Sequence, residues 1–248
     1  MKVKKRLDIV LAQQYTQYSR RQVQSFIMQG HVRVGGAVFT KPGTQVDQDV
    51  AIELTHEEPR YVSRAGFKLE HALDRFTIDV SGLIVLDAGL STGGFADCLL
   101  QRGAAKVYGV DVGYGQVHEK IRHDPHVVVM ERTNLRTLDG LPEPVDLVTL
   151  DLSFISVLKV MSAIVNILKP DGKLIVLIKP QFEAGRRDVR RGGLVTDPAV
   201  HERVIKDVVT GIQSYGFEYF GVIDSPIAGA QGNKEFLAYF VKKQADTQ

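Results

Sequence analysis

The chain has 248 residues, of which 44% are apolar, 24% are charged and one, Cys98, is a cysteine. That length holds one large domain and one small one, the composition is that of a folded globular chain, and a single cysteine excludes an internal disulfide and agrees with a reducing compartment. The net charge of +2 conceals an asymmetry: residues 1–41 carry eight Lys and Arg against one Asp, a local +7 that leaves −5 on the rest, which suggests a polyanion-binding module on a mildly acidic body.

The basic start MKVKKR looks like the opening of a signal peptide, but Asp8, Gln13, Gln14 and Gln17 interrupt what would be its apolar part. No apolar run approaches the ~20 residues of a membrane span, so the expectation is a cytoplasmic protein. Residues 1–55 are expected to form the small domain. RLDIVLAQQY is a short helix, and Ser19 caps a second helix over 20–29 with Val23, Phe26 and Ile27 on one face. Gly30 ends it. Val32–Val34 and Ala37–Phe39 form a hairpin on Gly35 and Gly36, and residues 45–54 end in another strand. Lys4, Lys5, Arg6, Arg20, Arg21 and Arg33 are the candidate RNA contacts. Arg20 and Arg21 stand at a helix N-terminus, a favourable place for a phosphate; a solvated basic face is the alternative.

Residues 56–62, polar over 56–60 with one Pro, read as a linker, and residues 63–248 as the larger domain. Ser63 lies near the cap of a helix over 67–75. Lys68 falls in its first turn, where the helix dipole disfavours a cation, so a role for it needs a partner. The stretch LIVLDAGLSTGGF (83–95) then organises the domain as strand, glycine turn and helix start. Asp87 stands at the expected strand end, Gly89, Ser91, Gly93 and Gly94 let a ligand approach the backbone, and Phe95 opens a helix whose free N–H groups face the crevice. A carboxylate beside the turn repels a pyrophosphate and suits a cation, which favours S-adenosylmethionine over a dinucleotide. The same residues match the G-x-S-x-G elbow of hydrolases, with Asp151 and His201 following in triad order. Against that reading, no earlier strand supplies an oxyanion N–H. A glycine turn without ligand is the third possibility.

The next strand, 106–111, closes on Asp111, 22 positions beyond Gly89, a spacing that lets a carboxylate take ribose hydroxyls. His123-Asp124-Pro125-His126 reads as a surface turn, not a metal site. After a strand over 127–130, Asn134 is placed to face an adenine. Strand 145–151 ends in Asp151, a helix covers 154–168, and strand 173–179 ends in Lys179. A mobile glycine-rich loop over 182–196 presents Arg186, Arg187, Arg190 and Arg191 to a phosphodiester chain. A helix over 197–215 and strands over 217–224 and 235–242 complete the chain, with Glu235 opening the last strand. Strands alternating with helices give an α/β fold, a Rossmann-like doubly wound sheet with an antiparallel edge.

Two resemblances follow. RLD…YSRRQVQSFIMQGHVRVGG…KPGTQV resembles the S4 RNA-binding domain, a small α+β (α-L) fold used against structured RNA. YVSRAGFKLE, VLDAGLSTGGFADCLLQRGA, VYGVDVGYGQ, ERTNLR, DLVTLDLSFIS, LIVLIKPQFE and the KEFLAYF end resemble the S-adenosylmethionine-dependent 2′-O-ribose RNA methyltransferases of the FtsJ/RrmJ type. Together they resemble the TlyA family, rRNA methyltransferases historically labelled haemolysins. The resemblance implies a Lys-Asp-Lys-Glu tetrad at Lys68, Asp151, Lys179 and Glu235, S-adenosylmethionine as cofactor, and cytidine 2′-hydroxyls of ribosomal RNA or its subunits as target. Ala65 stands where the family has Gly. A membrane-active haemolysin would need an amphipathic inserting segment or an export signal, and the sequence has neither. A chain that binds RNA and cofactor without transfer is the remaining alternative.

Overall fold

A computed structural model describes residues 3–55 and 59–244. Lys2 of the basic start, residues 56–58 of the expected linker and 245–248 of the expected larger domain lie outside the described residues. The chain divides into two compact units, Met1–Pro59 and Arg60–Gln248. The end of the expected linker belongs to the second unit: Tyr61 is buried in its core, and Val62 N–H donates to the Asp97 carboxylate at 2.8 Å.

The first unit runs β1 (Lys4–Arg6), α1 (Leu7–Gln14), α2 (Arg20–Met28), β2 (Val32–Val34), β3 (Ala37–Phe39), β4 (Gln45–Asp47) and β5 (Ile52–Leu54). β1 was not expected, because Lys-Lys-Arg has no apolar alternation; antiparallel pairing with β4 makes it a strand. The hairpin β2–β3 extends through β5 into a three-stranded sheet. Ser19 caps α2 in a capping box with Gln22. Leu7, Val10, Leu11, Val23, Ile27 and Val32 fill the core, and Asp8 is buried beside them.

The second unit runs α3 (Ala65–Arg75), β6 (Ile84–Ala88), α4 (Gly94–Gln101), β7 (Lys106–Val110), α5 (Glu119–Arg122), β8 (Val127–Met130), β9 (Val145–Leu150), α6 (Met161–Ile167), β10 (Leu168–Ile178), α7 (Pro180–Glu183), α8 (Pro198–Gln213), β11 (Phe217–Asp224) and β12 (Phe236–Lys242). Its seven strands lie in the order β11-β12-β10-β9-β6-β7-β8. The five from β10 to β8 are parallel, and β12 and β11 are added antiparallel, which is the doubly wound sheet with an antiparallel edge. Two apolar clusters cover its faces, so the central strands are continuous apolar runs.

Two boundaries differ from the sequence reading. The helix expected from 154 begins later, with a 3-10 turn at Val157–Val160 before α6, because Phe154 takes φ +65° and the Ser156 hydroxyl caps Leu158 N–H. β10 begins at Leu168 and absorbs a bulge before Lys173, with Asp171 at φ +59°.

α3 and α4 meet at glycines. A Cβ on Gly66 would lie 2.3 Å from Tyr61 Cγ, and one on Gly94 would lie 2.2 Å from Ser63 Oγ. Ser63 therefore packs on α4 and does not cap α3, whose N-cap is Arg64. Because the Tyr61 ring is fully buried it cannot swing aside, and Gly66→Ala should cost about 1–3 kcal/mol, read as a drop of several degrees in thermal unfolding.

Asp87 lies inside β6, not at its end, and accepts a hydrogen bond from Thr149 Oγ1 at 3.1 Å. Complete burial pushes its carboxyl up to about 7, with the charges of Asp151 and Asp111 adding to the rise. The folded chain thus holds a proton that the unfolded chain has released between about pH 4 and pH 7, so stability falls as pH rises through that window and levels off above it. Asp87→Asn should remove this dependence. Urea unfolding should show the native chain losing about 2–4 kcal/mol more than the variant between pH 5 and pH 8.

Candidate active site

The chain leaves β6 through a turn that only glycine permits. Gly89 has φ +90°, and a Cβ there would lie 2.3 Å from the Asp151 carbonyl oxygen, so the turn presses directly against the end of β9. Gly93, at φ +94°, is the N-cap of α4 and offers no side chain. Asp111, one residue past β7, binds two loops: Oδ2 accepts Ser91 N–H and Oδ1 accepts Gly113 N–H, both at 2.7 Å.

These ends enclose a cleft of about 320 Å³. Gly89, Ser91, Asp111, Asn134 and Asp151 line it, with Val112, Leu135 and Ile155 as apolar walls. The Asn134 side chain also accepts Arg136 N–H. The other residues expected to hold a cofactor do not reach the cleft surface. Asp87 and Phe95 are buried beneath it, while Gly93 packs on Ile121 and Gly94 on Ser63. The hydrolase triad is not assembled either: His201 Nε2 lies 2.9 Å from the Val195 carbonyl and its ring packs on Phe236.

Sheet register gathers the charged residues. Val176 of β10 stands beside Leu150 of β9, and Ile178 stands beside Phe236 of β12. The next positions therefore bring Asp151, Lys179 and Glu235 to one edge of the sheet. Lys179 Nζ lies 2.6 Å from Asp151 Oδ1 and donates to Ser153 Oγ at 3.0 Å. The contact with Asp151 is ionic, since no donor is directed at Oδ1 in hydrogen-bond geometry. Lys68 Nζ lies 2.5 Å from Glu235 Oε2, with the Glu235 side chain 2% exposed. Glu235 opposes the dipole penalty on Lys68 and supplies the partner that a cation in the first turn of α3 requires. Gly229 closes over the pair, since a Cβ there would meet Glu235 Oε1 at 2.0 Å.

Sequence reasoning missed Ser153, Phe154 and Asn233. Phe154 is 91% exposed beside the cleft, 5.1 Å from the Phe182 ring. Asn233 corrects the picture of the arginine loop. Arg186, Arg187, Arg190 and Arg191 are exposed as expected, yet the segment is tied down. Asn233 Oδ1 accepts Val195 N–H at 3.0 Å and its Nδ2 donates to the Gly193 carbonyl at 2.8 Å, while Arg190 N–H donates to the Leu194 carbonyl. Glycine content alone suggested mobility; a buried amide 40 residues away supplies the restraint.

In the first unit, Lys4, Arg21 and Arg33 are exposed and Lys5 is half-buried. Arg33 Nη1 donates to the Gly36 carbonyl at 3.3 Å. Arg20 is not free at the N-terminus of α2, because it and Arg6 both bind Asp8. His126 pairs with Asp124 in the turn after α5.

The S4 domain model matches residues 5–52, and the FtsJ-like methyltransferase model matches residues 61–242. The chain is 43% identical over 244 residues to the 16S/23S rRNA (cytidine-2′-O)-methyltransferase TlyA of Mycobacterium tuberculosis, covering 97% of this chain and 91% of that one. It is 40% identical over 243 residues to Hemolysin A of Brachyspira hyodysenteriae, covering 95% of this chain and 99% of that one. A solved structure from Streptococcus thermophilus that carries a hemolysin name superposes with a TM-score of 0.75 at 38% identity, covering 99% of this chain and 90% of that one. Among the described residues no helix is long and apolar enough to cross a membrane. The chain belongs to the FtsJ-like methyltransferase family, S-adenosylmethionine-dependent enzymes, in the TlyA branch that carries an S4 domain in front.

Proposed function

We propose that the chain methylates the 2′-hydroxyl of a cytidine ribose in ribosomal RNA, acting on ribosomal subunits in the cytoplasm, with Lys179 as base in a tetrad with Lys68, Asp151 and Glu235. One observation carries this reading: two lysine–carboxylate pairs stand at one sheet edge, and one of them, Lys179–Asp151, borders the cleft that Asp151 also lines. The name of the M. tuberculosis relative supports ribosomal RNA and cytidine as the target.

The cleft fits S-adenosylmethionine. Asp111 retains lone pairs for ribose hydroxyls, Asp151 supplies a carboxylate for a cationic centre, and Val112, Leu135 and Ile155 offer apolar walls to an adenine. When bound, S-adenosylmethionine supplies a methyl group on a positively charged sulfur. Lys179, once its own proton has passed to solvent, would take the proton of the 2′-hydroxyl and become an ammonium, and the ribose oxygen would accept the methyl group. Ser153 and Asp151 hold the Lys179 side chain from two sides, which fixes where the proton goes. Positive charge in the cleft draws on Asp151 and loosens its grip on Lys179. Glu235 holds the Lys68 ammonium in a buried site, and that charge stabilises negative charge developing on the ribose oxygen. The S4 unit and the exposed arginines of the turn after α7 hold the RNA.

Transfer of radiolabelled methyl from S-adenosylmethionine to unmethylated ribosomal subunits tests the reading. Lys179→Ala should lower the rate by about 10²–10⁴ while cofactor binding persists. Full transfer by this variant would exclude Lys179 as base, and no transfer by the native chain with cofactor bound would leave a binding protein. Removing Arg190 and Arg191 together should raise the apparent KM for subunits, reduce its salt dependence, and leave cofactor affinity unchanged.

A further inference from the structure

Asp8 is a carboxylate buried where an apolar residue would complete the core. It sits in the first turn of α1 with its side chain fully excluded from solvent, beside Leu7, Val10 and Leu11. A buried charge is costly unless its hydrogen bonds are complete, and here they are. Arg6 donates from Nε to Oδ1 at 2.9 Å and from Nη2 to Oδ2 at 3.0 Å. Arg20 donates from Nη2 and Nε to Oδ2 at 3.1 and 3.3 Å, and Gln24 Nε2 donates to the same oxygen at 2.7 Å. These hydrogen bonds, Arg6 foremost, hold the Asp8 carboxyl well below the usual range, so it stays ionised at any working pH.

What a carboxylate does here and an apolar residue would not is hold two like charges together. Both Nη2 atoms lie near one oxygen, so the two guanidiniums stand within about 6 Å of each other despite their repulsion. They remain open to solvent, with the Arg6 side chain 45% and the Arg20 side chain 58% exposed. Each has five N–H groups and spends two on Asp8, so three remain on each. The backbone of Gly43 backs the Arg6 group, leaving 3.6 Å between a Cβ placed there and Nη1. A planar guanidinium can bind a carboxylate along one edge and a phosphate along another; an ammonium has no second edge.

We propose that Asp8 is the positioning residue of a two-arginine fork, Arg6 and Arg20, that grips backbone phosphates of a folded RNA strand. The proposal rests on the RNA-binding reading above. Its gain comes from preorganisation: side chains already fixed lose little freedom when the RNA arrives. Counting charges predicts that removing the Asp8 carboxylate from a basic surface strengthens binding to a polyanion, whereas the fork requires that binding weaken.

The test uses the full chain and a fluorescently labelled RNA hairpin with a single-stranded loop, read by anisotropy, with thermal unfolding and cofactor binding followed in parallel. Asp8→Asn should weaken binding about tenfold, the loss of one charge-assisted contact. Arg6→Lys, which keeps the charge and not the fork, should also weaken it. In a background carrying Arg6→Gln and Arg20→Gln, Asp8→Asn should have no further effect, whereas a purely structural role would leave its effect undiminished. Equal or tighter binding by Asp8→Asn, or an undiminished effect in that background, overturns the proposal. If Asp8→Asn unfolds the first unit, Arg6→Lys decides, and unchanged affinity in that variant overturns it. Failure of the native chain to bind the hairpin would instead overturn the RNA-binding reading beneath it.

Discussion

A sheet buried on both faces tolerates few charges along its strands, so the chemistry of the second unit collects where strands stop. Asp111, Asp151 and Lys179 each stand one residue past a strand, and Glu235 stands one residue before β12. Because β12 runs antiparallel to β10, its beginning lies at the same edge as the end of its neighbour. That reversal lets a carboxylate from the last tenth of the chain join groups from its middle. The close approach of Gly89 to the Asp151 carbonyl depends on the same register, since β6 and β9 are neighbours ending together. A shift of one residue in either pairing would turn these side chains to the opposite face.

The two lysine pairs at this edge differ in setting, in keeping with the different roles proposed for them. Lys68–Glu235 is the more secluded, and its cost in desolvation is met by a very close contact. Lys179–Asp151 is more open, lacks ideal hydrogen-bond direction and has Ser153 as a second partner, so its lysine is held and not locked. A group that must exchange a proton needs that looser arrangement, while a group that only supplies charge is best fixed.

Much of this was legible in the sequence, and the reasons differ by residue. Lys179 and Asp151 were visible because a charged residue closes an uninterrupted apolar run, which periodicity detects directly. Lys68 was visible only as an anomaly, a cation in a helix first turn, and its partner Glu235 lies 167 residues away, beyond any local pattern. The glycine turn was read as a place where a ligand approaches the backbone; Gly89 does press on the Asp151 carbonyl, but the members that line the cleft were not separable from those that pack inward. Gly89 and Ser91 line the cleft, while Gly93 and Gly94 meet Ile121 and Ser63, distinctions set by tertiary neighbours. The late start of the helix after β9 was hidden because apolar spacing from Phe154 onward continues a helical pattern; the positive φ of Phe154 breaks it. The arginine turn was taken as mobile from composition, which carries no information about Asn233.

The two wholly buried aspartates show how local donors decide what burial means. Asp8 and Asp87 are both excluded from solvent. Asp8 receives two guanidiniums and an amide, and its proton affinity falls far below the ordinary value. Asp87 has only the Thr149 hydroxyl to offset its burial, and burial, with the fields of Asp151 and Asp111 added, pushes its carboxyl up to about 7. The first is a fixed negative charge that organises cations, and the second keeps its proton to a higher pH than an exposed carboxyl does. Positive charge in the neighbouring cleft favours ionised Asp87 by the same field argument that lets Asp151 and Asp111 oppose it.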